Sequence, residues 1–203
     1  VRKLQERTAE EAYTFHRLGI AHDYQVDGAH QERLAQARKS LDWILGRIQG
    51  QAPAHICKRV IELGCAMGDI AGPRCWGNKV VGYEANARAC WQGEKRYPYM
   101  KFRQEDLQTA EAEECDVLIL CEILEHIENP FQVCERWMPK AKYALVSVPI
   151  GAENGSANEH MWSFSLMDWM EFFTKGKHII LVQQDFNLGV TFKNKLAISK
   201  LDD

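Results

Sequence analysis

From Gln31 to Ile48 apolar residues recur at intervals of three and four, at Leu34, Ala37, Leu41, Ile44, Leu45 and Ile48, which predicts one long amphipathic helix. A second helical stretch is expected over 9–18, and 19–28, with His22, Asp23 and Tyr24, reads as the link between them. After Gln51-Ala-Pro-Ala the pattern changes to short apolar runs alternating with longer stretches of mixed polarity. Strands are predicted at 59–63, 79–83, 101–103, 116–121, 143–148, 178–184 and 196–200. Helical patterns fall between most of them, at 85–95, 130–137 and 165–174, the last opening with the capping pattern Ser165-x-x-Asp168. Strands separated by helices mean βαβ units with right-handed crossovers, and so an α/β fold on a parallel sheet. The last two strands have only Asn187-Leu-Gly189 and a few residues between them, so they are expected to pair as an antiparallel hairpin at one edge. The chain divides into an N-terminal helical lid or appendage over 1–50 and an α/β domain over 51–203.

With 203 residues, 46% of them hydrophobic, the chain is long enough to bury one sizeable core. Its 25 Lys and Arg against 28 Asp and Glu leave a net charge of −3, which creates no overall field for a polyphosphate chain. A small-molecule partner is expected; a nucleic acid is neither required nor forbidden, and the oligomeric state is left open. No apolar run approaches the ~20 residues of a spanning helix, and residues 1–11 are charged throughout, so neither a membrane span nor a secretory signal is expected. A cytoplasmic location follows, and a chain beginning at Val1 reads as one with a trimmed terminus. The seven cysteines, at 57, 65, 75, 90, 115, 121 and 134, show no C-x-x-C spacing, so free buried thiols are expected rather than a zinc ribbon or a disulfide framework.

In an open α/β sheet a ligand sits beyond the carboxyl ends of the strands, where the strand order reverses. The first strand of the α/β region runs into Glu62-Leu-Gly64-Cys-Ala-Met-Gly68-Asp69. Gly64 allows a sharp turn beneath a ligand, and Gly68 allows close packing behind it. A dinucleotide turn needs G-x-G-x-x-G, but Ala66 and Asp69 stand at the second and last positions, and no Gly-Lys-Ser/Thr follows for a phosphate loop. What remains places the carboxylate of Glu62 near the ligand, which favours a cationic cofactor tail. Glu84 ends the next strand, twenty residues after Gly64, where an acid accepts from both hydroxyls of a ribose. Asp106, after the third, can accept from an adenine amino group.

Together these residues resemble the class I S-adenosylmethionine-dependent methyltransferases over roughly 55–200. The resemblance implies a Rossmann-like, mostly parallel sheet of seven strands with an antiparallel last strand, and S-adenosyl-L-methionine as cofactor. It implies that Gly64, Cys65, Ala66 and Met67 lie against the methionine part, with Glu62 and Gly68 framing the turn. Glu84 and Ala85 fall at the ribose, and Asp106, Leu107 and Cys121 flank the adenine and methionyl regions. Two departures stand out: Ala66 replaces a usual Gly, and Ala71-Gly-Pro73 interrupts the helix expected after the turn.

After the fourth strand comes Cys121-Glu122-Ile-Leu-Glu125-His126. If helical, this spacing puts Glu122, Glu125 and His126 on one face, where two carboxylates and an imidazole can bind a divalent cation or act as acid and base. A further candidate, His160, lies in the loop after the fifth strand. The pair of segments is similar to the ubiquinone-biosynthesis O-methyltransferases and the small-RNA 2′-O-methyltransferases, which implies a metal at Glu122, Glu125, His126 and His160. Such a donor set favours Mn, Fe, Co or Zn over Mg. Metal-assisted O-methylation and a metal-free site with His126 or His160 as general base both remain open, as does a non-catalytic domain that binds the cofactor as a sensor or scaffold. Trp162 and Phe164 are candidates for a substrate wall or a cation–π contact to a sulfonium, whereas Trp169, Phe172 and Phe173 read as core.

Overall fold

The computed structural model describes residues 2–3, 28–51, 58–76, 78–149, 160–165, 167, 177–183 and 186–192. The helix expected at 9–18 and most of that at 165–174 lie outside these residues, as do Trp169, Phe172 and Phe173. Nine strands and three α-helices are described: β1 Arg2–Lys3, α1 Gly28–Gln51, β2 Arg59–Leu63, β3 Lys79–Glu84, α2 Ala87–Arg96, β4 Lys101–Gln104, β5 Cys115–Cys121, α3 Pro130–Trp137, β6 Ala141–Val148, β7 Trp162–Ser163, β8 Lys177–Gln183 and β9 Phe186–Phe192. Seven strands form one mostly parallel sheet in the order β4-β3-β2-β5-β6-β9-β8, with β9 antiparallel to both its neighbours. Among the described residues no helix is long and apolar enough to cross a membrane.

Alternation along the parallel strands builds a core on each face. Val60, Val80, Val117, Ile119 and Leu145 meet α1 through Leu41, Ile44, Leu45 and Ile48. Ile61, Val81, Leu118, Leu120 and Val146 point the other way and meet α3 through Val133, Cys134 and Trp137. The periodic face of α1 is therefore part of the sheet's own core, with Leu41 and Ile44 fully buried. The helix read at 31–48, within the N-terminal lid or appendage, supplies one of the two packing layers. α2 starts where the Asn86 side chain accepts from the backbone N–H groups of Arg88 and Ala89, a hydrogen-bonded N-cap.

The last described strand is Phe186–Phe192, and the strand expected at 196–200 lies outside the described residues. Asn187 and Gly189 are not turn residues: Val148 pairs with Asn187 and Val146 with Gly189 within the ladder. Gly was read as punctuation, yet sheet pairing on both sides keeps it extended. The six described cysteines are all free, as their spacing suggested.

Between β2 and β3 no α-helix forms. The chain turns through three left-handed residues, Gly64 (φ 63°), Ala66 (φ 46°) and Gly68 (φ 79°), and reaches only a short 3₁₀ turn at Gly72–Arg74, with Pro73 in its first turn. Gly68 N–H donates to Cys65 O at 2.7 Å and closes the turn. Ala66 carries the cost of a Cβ in the left-handed region, ~1–2 kcal/mol. Replacing it with glycine relieves that cost but adds unfolded-chain entropy of ~0.4–1 kcal/mol. Urea unfolding of Ala66→Gly should therefore show stability unchanged or raised by up to ~1 kcal/mol; a loss of that size would contradict the strained turn.

Candidate active site

Strands β2, β3, β4, β5 and β6 run parallel, so their carboxyl ends share one edge, and the order reverses between β2 and β5. A cavity of about 150 Å³ opens there, lined by residues of the turn after β2 together with Cys121, Glu122 and Ser147. The turn's contribution comprises Glu62, Gly64, Cys65, Ala66, Met67, Asp69 and Ile70. Seven residues expected from the sequence thus meet in one cavity. A more open cavity of about 370 Å³ lies at the opposite end of β5 and β6, beside the ion pairs Lys140–Glu114 and Lys142–Asp116. It stands at the amino ends of the strands, away from the edge where parallel sheets bind ligands.

Glu62 is buried, and its Oε2 accepts from Ala71 N–H at 3.0 Å. Burial pushes its carboxyl up to about 8, against the pull of that backbone bond, and the charges of Asp69 and Glu84 add to the rise. Glu84, at the end of β3, accepts from Ala66 N–H at 2.9 Å and from Asn86 N–H at 2.8 Å. It therefore ties the left-handed turn to the second strand end. Asp106 does not line this cavity: its Oδ1 accepts from Gln108 N–H at 2.8 Å and closes a local turn. The neighbouring Leu107 is buried in the core on the α3 face. Ala85 stands half-buried just after Glu84 and does not line the cavity either.

Two residues that the sequence reading passed over belong to the site. Arg33 of α1 lines the cavity with Leu34 and Ala37, and its Nη1 reaches Glu122 Oε2 at 3.4 Å. The Arg33 Nε is buried without a partner. Ser147 donates from Oγ to Glu122 Oε1 at 2.8 Å. A serine within the apolar run at the end of β6 was a legible signal, whereas Arg33 was hidden as one polar residue among many on an amphipathic helix.

The segment after β5 is not helical at Glu122. That residue takes a left-handed conformation (φ 51°), and only Leu124–His126 forms a 3₁₀ turn. The expected single face of Glu122, Glu125 and His126 is therefore divided. Glu125, His126 and His160 each offer a ligand atom within 4.8 Å of the others, whereas Glu122 falls outside this group and turns to Ser147 and Arg33. The His126 and His160 rings meet edge to face with centroids 4.8 Å apart. Glu125 is 1% exposed and its Oε2 has no hydrogen-bond partner. Burial, then the neighbouring Glu122 charge, raises its carboxyl well above the ordinary range. Phe164 is fully buried in the core and forms no substrate wall. Trp162 spends its indole N–H on Ile127 O at 2.8 Å.

No protein-family model matches this sequence, and no curated protein matches it by sequence. Solved structures do match. Magnesium protoporphyrin IX methyltransferase (ChlM) from Synechocystis PCC 6803, with bound S-adenosylmethionine, has a TM-score of 0.68 at 11% identity, over 95% of this chain and 100% of that one. The N-methyltransferase NodS from Bradyrhizobium japonicum WM9, in complex with S-adenosyl-L-homocysteine, gives 0.66 at 14% identity, over 91% and 99%. The methyltransferase domain of bacterial CtHen1-CN gives 0.56 at 16% identity, over 79% and 100%. With its glycine turn at the switch point of a mostly parallel sheet, this chain has the fold of the class I S-adenosylmethionine-dependent methyltransferases.

Proposed function

We propose that this chain is an S-adenosylmethionine-dependent methyltransferase acting on an oxygen of a small molecule or a nucleotide terminus, with a divalent cation assisting. The observation that supports this reading is the carboxylate of Glu125, buried with an unpartnered Oε2 and grouped with two imidazoles, three residues along the chain from Glu122, which lines the cavity of the glycine turn. Burial favours the neutral form of this carboxyl, whose Oε1 lies 3.8 Å from His126 Nε2. A cation held there would favour the ionised form and give Oε2 a partner, so the donor set fits a metal.

Glu125, His126 and His160 would hold the cation, with Glu122 as a fourth candidate beside them. Nitrogen donors suit Mn²⁺, Fe²⁺, Co²⁺ or Zn²⁺ better than Mg²⁺. A divalent cation held by these residues would supply Lewis acidity for deprotonating an acceptor hydroxyl. The cofactor supplies an electrophilic methyl on a sulfonium. The backbone from Gly64 to Gly68 would support its methionine part, Glu62 its ammonium, Arg33 its carboxylate and Glu84 its ribose hydroxyls, with Ala85, Asp106 and Leu107 toward the adenosine end. The rival reading, a non-catalytic sensor or scaffold, drew on Ala66 and the interrupted helix, yet Ala66 takes the left-handed conformation a glycine would and the turn closes around it.

Three outcomes follow. Glu84→Ala removes a charge-assisted contact and should weaken S-adenosylhomocysteine binding by ~1.5–3 kcal/mol in calorimetry; undiminished affinity would remove Glu84 from the cofactor site.

With its carboxyl pushed up to about 8 by burial, Glu62 is mostly protonated at pH 7 in the free protein. An ammonium placed beside it favours the ionised form, so binding at pH 7 should release close to one proton and affinity should rise with pH toward 8. Calorimetry in buffers of different ionisation enthalpy reads this release, which Glu62→Gln should abolish. Because the folded-state value lies above the ordinary 4.5, Glu62 also withdraws stability as pH rises from 4.5 to about 8, and Glu62→Gln should flatten that slope.

Finally, chelation should stop methyl transfer to hydroxylated acceptors while leaving S-adenosylhomocysteine affinity intact, and His126→Ala should lower metal content. Full turnover in protein shown by elemental analysis to be metal-free would replace the cation with a histidine base, and absence of turnover on every acceptor class would favour the sensor.

A further inference from the structure

His160 returns to the site from beyond β6, and the residues that follow it determine where it stops. Met161 N–H donates to Glu125 O at 2.8 Å, and the Trp162 indole N–H donates to Ile127 O at 2.8 Å. The carbonyls on both sides of His126 are thus occupied by donors from the two residues after His160. Phe131 meets the Trp162 ring edge-on at 6.3 Å and 87°, while Met161 is buried beside them. On its far side β7, which contains Trp162, pairs with β1, Lys3 opposite Trp162 and Arg2 opposite Ser163. The bond from Met161 is a backbone bond that any side chain would permit. The bond from Trp162 exists only because that side chain carries an N–H.

We propose that Trp162 is a positioning residue: its indole N–H, anchored on Ile127 O, sets the separation of His160 from His126 and Glu125. This inference rests on reading the group as a metal site for its effect on affinity, but its geometric content concerns the imidazoles themselves. Zinc-type metal–nitrogen bonds are ~2.0–2.1 Å, so an ångström of drift in His160 removes a ligand. Outer partners that orient ligands typically govern 10–100-fold in metal affinity.

The test uses the full chain in two variants. Trp162→Phe keeps a ring against Phe131 and loses the donor; benzothienylalanine at position 162 keeps the bicyclic shape and loses only the N–H, which covers the case in which the phenylalanine variant fails to fold. Co²⁺ titration followed by visible absorption should show affinity lowered roughly tenfold or more and an altered d–d envelope. S-adenosylhomocysteine affinity should be unchanged, and in metal-free protein the NOE between the His126 and His160 rings should weaken. Unaltered Co²⁺ affinity and spectrum, with an unaltered NOE, would overturn the proposal and leave Trp162 as packing. Failure of the wild type to bind Co²⁺ overturns the metal reading alone; the positioning role then stands on a weakened NOE and falls on an unchanged one.

Discussion

Gly64 has no side chain because Ile123 already fills the place of one: a Cβ there would lie 2.5 Å from Ile123 Cδ1 and Cγ1. That contact joins the two halves of the site. β2 and β5 are parallel neighbours, so the turn that ends one and the turn that ends the other emerge side by side. Ile123 immediately precedes the short turn bearing Glu125 and His126. The turn that lines the cavity after β2 and the segment that carries Glu125 and His126 are thus packed directly against each other. In an interior packed as densely as an organic crystal, a displacement of one is felt by the other. The glycine therefore serves the protein's own packing as well as the approach of a ligand.

Three acids, Glu62, Glu122 and Glu125, come together at this edge, where burial raises all three carboxyls. Each is met differently. Glu62 has the Ala71 N–H, Glu122 has Ser147 and Arg33, and Glu125 keeps one oxygen with nothing to bond. The helix α1 takes part in this balance: it brings Arg33 to Glu122, and Arg38 donates from Nε to Asp69 O at 2.7 Å. The helix buries its apolar face in the core and spends two of its arginines on the rim of the cavity, so it serves stability and site together.

Much of the fold was legible because the parallel strands are buried on both faces and read as uninterrupted apolar runs such as Val-Leu-Ile-Leu in β5. β2 and α3 fall where their periodicity puts them. The last strand was less legible because Gly189 imitates a turn, and only pairing with β6 and β8 shows it to be extended. At the site, the glycine turn was readable because its spacing is a backbone requirement. The division between Glu122 and Glu125 was not: a helical spacing was assumed, while the chain uses a left-handed residue at Glu122 that no propensity favours. Arg33 and Ser147 act only through what folds against them, which sequence spacing does not carry.

The placement of β9 bears on how the parallel part of the sheet ends. β8 precedes β9 in the chain yet lies outside it, so β9 stands between β6 and β8. The backbone edge of β6 away from β5 has β9 as its described ladder partner, so residues through Phe192 are needed to cover it. An unpaired apolar edge is a template for other strands, including those of neighbouring nascent chains. The strand that joins β8 to the sheet is therefore also the one that covers this edge of β6.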